Sequence, residues 1–226
     1  MTDTNTGAAL QLEIFADVIC PWCFIGKRRL DQALETLRAK GLDIETRWAP
    51  YQLNPTLPAE GMDRKQFRSQ RFGSWENSLA MDSRAANVGR QAGVDFQYSK
   101  ITRTPNTLLA HALVRAAGQL GGSRLQHGVV EAVFGAYFTD GRDIGDRNVL
   151  RAIGHDHGLS DEAIDVAFAD LASVRAEDEQ ARKAGLNGVP SYRINGHFLA
   201  SGSMDPDAYV ELISRAAAVL KARTAA

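Results

Sequence analysis

The chain's two cysteines stand three positions apart, in Cys20-Pro21-Trp22-Cys23. The thiolate is the reactive form of cysteine, and a second thiol one helical turn away can attack a mixed disulfide formed at the first. That chemistry is served best by a helix start, where backbone N–H groups and the helix dipole favour a negative sulfur. Such sites bring a thiol from about 8.5 down to roughly 3.5–7.5. Pro21 suits a first helical position, where no hydrogen-bond donor is lost. Cys20 is therefore expected to be the exposed nucleophile and Cys23 the resolving thiol one turn further in. Trp22, between them, is expected near the surface as one wall of a substrate groove. Two other readings compete. The pair could be half of a zinc site, but His111, His127, His155, His157 and His197 lack zinc-finger spacing to complete it. The cysteines could also be inert core residues, although two at redox spacing argues against chance. A bridge over so short a loop would constrain little of the unfolded chain, so a structural staple is a poor reading. No metal is expected.

The elements around the dithiol must put it at such a helix start. Leu12 to Val18 alternates and then turns apolar, as a strand does. Phe24 to Leu37 has Ile25, Leu30, Ala33, Leu34 and Leu37 on one helical face, with Lys27, Arg28 and Arg29 mostly on the other. Ile44 to Ala49 alternates again, which completes a βαβ unit. A loop with Pro50, Pro55 and Pro58 follows. The chain then reads as mainly helical to Ala184, over Arg64–Gln70, Glu76–Ala92, Pro105–Leu120, Arg124–Tyr137, Asn148–His157 and a last, broken stretch from Asp161 to Ala184. Gly121-Gly122, Gly141 and Gly158 punctuate these segments. Val189 to Ile194 and His197 to Ala200 flank Asn195-Gly196, a strong hairpin signal. An amphipathic helix from Pro206 to Ala222 ends the pattern. The order is β-α-β, a long helical insert, then β-β-α: an α/β protein.

The chain has 226 residues, 44% hydrophobic and 23% charged, with a formal net charge of -1. Those figures describe an ordinary globular chain with one large core, or one domain with a sizeable insertion. The charge balance argues against nucleic acid or an anionic membrane surface as a partner. Met1 to Ala9 lacks the pattern of a secretory signal, so a cytoplasmic location is expected, and residues up to about Gln11 read as a loose tail. In a cytosolic setting two cysteines do not form a disulfide framework. Lys27-Arg28-Arg29 reads as a solvated helix face. His111, on a helix with Leu108, Leu109, Ala112 and Leu113, reads as a packed histidine. His155 and His157, before Gly158, read as helix-end residues favoured by the dipole. Trp48, Tyr51, Phe134, Tyr137 and Phe138 read as core or cleft wall.

Four stretches give a family resemblance: Asp17 to Arg29, Gln52-Leu53-Asn54-Pro55, Asn106-Thr107 through Ala110-His111, and Gly188-Val189-Pro190. Together they resemble the DsbA-like superfamily, and within it the cytosolic FrnE-type branch related to 2-hydroxychromene-2-carboxylate isomerases and kappa-class glutathione transferases. The resemblance implies a thioredoxin fold over 11–60 and 185–222, with a helical domain over 61–184 inserted between its two halves. It also implies a cis-proline facing the dithiol. Pro190, just before the hairpin, is expected to fill that place, rather than to be a trans proline opening an edge strand. The backbone of Val189 could then pair with an extended peptide or with glutathione.

The chain departs from its relatives in three places. A serine usually stands at the Cys20 position in the transferases and isomerases, where it activates glutathione. Those relatives often carry Ser-Asp after the final hairpin, where this chain has Ser203-Met204 with Asp205 displaced by one. Periplasmic oxidants usually carry histidine where Trp22 stands, so the chain is expected to be a weaker oxidant than those near about -120 mV.

These features imply a thiol–disulfide oxidoreductase that exchanges a disulfide between Cys20 and Cys23 and protein or small-molecule thiols. Pro21, Trp22, Val189 and Pro190 would support the site. No organic cofactor is required; glutathione is a candidate co-substrate, and a thiol partner must recycle the pair. The alternative enzyme is a glutathione-dependent isomerase or transferase on aromatic or polyketide-like compounds. A binding or chaperone module is the third reading, and nothing in it needs two cysteines. The oligomeric state stays open, with dimerisation through the insert one candidate.

Overall fold

The computed structural model describes residues 10–224. The tail and signal expectations for Met1 to Ala9 lie outside the described residues. Leu10 and Gln11, read as the end of that tail, instead open a strand, because they pair with Ile44 and Glu45 of a neighbour.

β1 (Leu10–Ala16), α1 (Pro21–Ala39) and β2 (Ile44–Pro50) form the βαβ unit. Parallel strands require such a crossover, and β1 and β2 pair in parallel from Leu10/Ile44 to Ala16/Pro50. β5 (Ser191–Ile194) joins β1 antiparallel, and β6 (His197–Ser201) joins β5, so the sheet order is β2-β1-β5-β6. The β5–β6 turn is Asn195-Gly196, with φ 47° and 79°. Two successive positive φ angles are what a tight hairpin requires, and Asn and Gly tolerate them best. α8 (Pro206–Thr224) follows and packs along α1.

Between β2 and β5 the chain forms a short β3–β4 ladder (Met62–Asp63, Arg103–Thr104), α2 (Arg64–Phe72), α3 (Trp75–Gln91), a 3-10 turn at Tyr98–Lys100, α4 (Leu108–Phe138), α5 (Arg147–Asp156), α6 (Asp161–Ala169) and α7 (Leu171–Lys183). Local chemistry sets the boundaries. Asp63, Ser74, Asp146, Ser160 and Asp170 each accept a backbone N–H of their helix's first turn, which satisfies a donor the helix leaves free. Asp170 ends α6 and caps α7 at once, which is the break expected in that stretch. The two helices expected on either side of Gly121-Gly122 are there, joined within α4 through a kink where Gly121 (φ -135°) and Gly122 (φ 65°) leave helical geometry. α4 starts at Leu108, not at Pro105, because Thr104 is spent in the β3–β4 ladder.

The strand period of two divides the core. Ile14 and Trp48 join the large cluster with Phe24, Phe134 and Phe138, while Phe15 and Ala49 join a smaller one with Tyr51, Ala181 and Leu186. The large cluster draws on α1, α4, α5, α6 and the sheet together, so the insert and the sheet share it.

Candidate active site at the start of the first helix

Cys20 is the N-cap of α1, in extended conformation, with Pro21 in the first turn. No side chain caps this end and no acid sits in the first turn, so nothing within the helix neutralises its positive pole. The Cys20 N–H donates to the Asp17 carbonyl at 2.9 Å, and the Cys23 N–H to the Cys20 carbonyl at 3.0 Å, which closes the turn. Both cysteines are free thiols, and they approach to 3.3 Å.

Both cysteines are buried residues. Cys23 is fully buried and Cys20 only 4% exposed, which corrects the expectation of an exposed nucleophile. Sequence spacing put Cys20 at the helix start but could not show what covers it. The cover is the loop before β5: the Cys20 thiol donates a hydrogen bond to the Val189 carbonyl, with Sγ at 3.8 Å. The Val189–Pro190 peptide bond is cis, as position had suggested. Pro190 is buried, and Val189, Pro21 and Trp22 are half-buried. Burial pushes the Cys23 thiol well above its usual range, and the neighbouring Cys20 sulfur adds to the effect.

The hairpin side is tied down by hydroxyls. The Gly202 N–H donates to the Pro190 carbonyl at 2.7 Å, and Ser191 Oγ to the Gly188 carbonyl at 2.7 Å. Tyr192 and Tyr209 bond through their hydroxyls beneath the loop, and the Met204 N–H donates to the Tyr209 oxygen at 3.3 Å. Burial, more than the Tyr209 neighbour, drives the Tyr192 phenol well above its ordinary value. Gly26 lets this wall close: a Cβ there would lie 2.9 Å from the Tyr192 hydroxyl and 3.3 Å from Pro190 Cγ. Asp205, weighed for its place after the hairpin, is paired with Arg29 at 3.1 Å.

Two groups beside the dithiol were not picked out as site residues. Asp17, wholly buried, takes the Leu53 N–H on Oδ2 at 2.6 Å, and its Oδ1 faces His111 Nε2 at 3.4 Å. His111 is thus packed, as expected, but against a carboxylate under the site. The available signal was an aspartate in an otherwise apolar strand end, three residues before Cys20. The second is Lys27, expected on a solvated face. It is 2% exposed and reaches Asp31 at 3.0 Å and Glu131 at 2.8 Å, with His127 Nε2 at 2.9 Å. Carboxylates from α1 and α4 drew the ammonium inward, and α4's approach was not visible in the pattern of α1 alone. Arg29 is tucked in too, and Arg28 pairs with Glu131.

The other side of the dithiol is open. Ile19, Pro21 and Trp22 border a cavity of about 330 Å³ whose far walls are α2 and α3. Trp22 is half-buried and lines this cavity. Tyr137 also lines this cavity, whereas Trp48, Phe134 and Phe138 are core. His155 lies in the last turn of α5 beside Asp161. Among the described residues, no group of three or more His, Cys, Asp and Glu could hold a metal ion, and no helix is long and apolar enough to cross a membrane.

The family described as "DSBA-like thioredoxin domain" matches residues 11–214. The uncharacterized protein YwbO of Bacillus subtilis is 25% identical over 210 residues, covering 91% of this chain and 96% of its own. Among solved structures, a probable DsbA oxidoreductase from Streptomyces coelicolor is similar with TM-score 0.78 at 23% identity, over 92% of this chain and 89% of that one. A 2-hydroxychromene-2-carboxylate isomerase is similar with TM-score 0.66 at 13% identity, over 95% and 98%. The cytosolic disulfide reductase DsbM of Pseudomonas aeruginosa is similar with TM-score 0.60 at 19% identity, over 95% and 98%. At these identities the structures speak for the fold.

Proposed function

The chain belongs to the DSBA-like thioredoxin domain family, and on that premise we propose that it is a thiol–disulfide oxidoreductase working through Cys20 and Cys23. The observation that carries this reading is the pair of free thiols at the uncapped start of α1, under the cis Val189–Pro190 bond. In the reductive direction, the Cys20 thiolate attacks one sulfur of a substrate disulfide, forms a mixed disulfide and releases the first thiolate. Cys23 loses its proton, attacks the Cys20 sulfur and releases the second. Two electrons pass from the dithiol to the substrate, and an external thiol, with glutathione a candidate, returns them. Pro21 leaves the helix start without an extra donor. Trp22 offers an apolar surface beside Cys20, and Val189 and Pro190 hold the covering loop.

The protein is proposed to work in the cytoplasm, where such a pair rests mostly reduced. Trp22 supplies no cationic partner to a thiolate, so the couple should lie below about -120 mV. The test is equilibration in glutathione buffers with trapping of free thiols. A reversible two-electron transition below that potential is expected. Both thiols remaining free throughout would overturn the reading.

The likeness to the isomerase fold and the cavity beside Trp22 favour one second reading, a glutathione-dependent isomerase or transferase on aromatic or polyketide-like compounds. It requires Cys20 without Cys23, so Cys23→Ser would keep turnover. Disulfide exchange instead predicts that this variant accumulates a mixed disulfide at Cys20, visible as added mass.

A further inference from the structure

The cavity beside Trp22 has an uneven charge balance. Its lining contains Arg68, Arg71 and Arg84 but a single acid, Asp82. Asp82 is itself shared: Arg68 holds Oδ1 at 2.8 Å and the buried Arg64 holds Oδ2 at 2.6 Å. One carboxylate thus serves two guanidiniums. Arg71 and Arg84 are exposed, and the guanidinium of neither has an ion pair or hydrogen bond among the described residues. Burial and the nearby Arg64 charge hold the Arg68 guanidinium below its ordinary range, despite Asp82. A chain with net charge -1 therefore keeps an unspent positive field in the cavity next to its dithiol.

The rest of the lining is apolar. Trp22, Phe67, Phe72 and Met81 face the space, and Arg68 lies over the Phe72 ring at 4.8 Å. About 330 Å³ is at the lower end of cavities that enclose a small organic molecule. Its walls come from α2, α3 and the dithiol segment, with Leu53, Asn54, Thr104 and Tyr137 completing the lining, and a space of that size suits a small molecule better than a length of polypeptide.

We propose that this pocket selects small anionic disulfides, an apolar or aromatic group packing on Trp22, Phe67 and Phe72 and a carboxylate facing Arg71 and Arg84. The proposal rests on the disulfide-exchange reading and names the substrate class for that site. The scissile sulfur then lies toward Cys20, whose neighbours Ile19 and Pro21 form the pocket's edge. Attack by the Cys20 thiolate breaks the substrate S–S bond, forms the mixed disulfide and expels a thiolate. Cys23 then forms the intrachain disulfide and expels the other, so the substrate gains the two electrons the dithiol loses.

The test is single-turnover oxidation of the reduced protein by three small disulfides: dithiobis(nitrobenzoate), which is aromatic and anionic; dithiodipyridine, which is aromatic and neutral; and cystamine, which is cationic. The anionic-to-neutral rate ratio is measured for the wild type, R71A/R84A and R71K/R84K, against salt. The wild-type ratio should fall with rising ionic strength, and cystamine should be the slowest. R71A/R84A should lower the ratio about tenfold, the lower end of charge-focusing effects in clefts, and R71K/R84K should keep most of it. A ratio that ignores both salt and the alanine pair overturns the proposal. So does an acidic peptide disulfide that outpaces the small anion with the same arginine dependence, because the occupant is then a polypeptide. If no disulfide oxidises the dithiol, the exchange reading itself fails. If the neutral disulfide reacts and the ratio is flat, only the pocket assignment fails.

Discussion

On the hairpin side of the dithiol, Pro190, Tyr192 and Tyr209 are packed against α1, and backbone and hydroxyl bonds fix the loop. On the α2–α3 side, half-buried aromatics and arginines surround an open space. One wall is solid and nearly neutral; the other is open and cationic. The difference separates two tasks. The solid wall sets where the sulfurs lie, and so should affect every disulfide alike. On the proposed reading the open wall meets the substrate, and so should affect which disulfide reacts.

The largest effect is expected at the sulfurs themselves. Cys20→Ser should lower oxidation by every disulfide about a thousandfold or more, since the attacking group is gone. A loss confined to anionic disulfides would break the division of tasks. The thiol that burial raises should give a pH signature in the wild type. Cys23 stays protonated through neutral pH, so release of the mixed disulfide should keep accelerating with pH beyond the ordinary thiol range near about 8.5. Stopped-flow measurement of the second released thiol checks this, and a plateau below pH 8 would contradict it.

The next effect is on stability. Lys27 neutralises Asp31 and Glu131 from a buried position. Lys27→Met leaves both acids facing an apolar group, at a cost of about 2–3 kcal/mol, discounted because the acids are partly hydrated. Denaturant unfolding measures it. The same cluster has a pH dependence. Burial alone would raise the Asp31 carboxyl, but the His127 hydrogen bond and the Lys27 charge outweigh it and hold the group below its ordinary value. A depressed folded value stabilises above the unfolded one, near about 3.9, and that stability is lost as pH falls through the folded value. Asp31→Asn should therefore be less stable than wild type at neutral pH, with the gap closing below about pH 4.

Smaller effects probe the solid wall directly. Gly26→Ala gains helix propensity of about 1 kcal/mol but puts a Cβ against a rigid, buried ring hydroxyl. The net expectation is a loss of about 1–2 kcal/mol and a slower reaction with neutral and anionic disulfides alike. Tyr209→Phe removes the partner of the Tyr192 hydroxyl and of the Met204 N–H, at about 1 kcal/mol. Thermal melts and the same three disulfides read both variants. A change in the anionic-to-neutral ratio from either would show that the two walls do not act separately.

Part of this was legible in the order of residues. The βαβ unit, the Asn195-Gly196 hairpin and the dithiol's place at a helix start follow from period, turn chemistry and capping, which act over a few residues. The cis bond at Pro190 could also be anticipated, because it falls just before that hairpin. The burial of Cys20, the inward turn of Lys27 and the Asp17–His111 contact could not. Each depends on a group far along the chain: the Val189 carbonyl for Cys20, Glu131 for Lys27, Leu53 and His111 for Asp17. The arginine-lined pocket is of the same kind, since α2 and α3 face Trp22 only once the helical segment has folded against the sheet. Sequence alone determined the cysteine pair and its helix, because those rest on local backbone geometry. Tertiary structure decided the cover over the sulfurs and the charge of the pocket beside them, because burial and electrostatics are summed over neighbours that only the fold brings together.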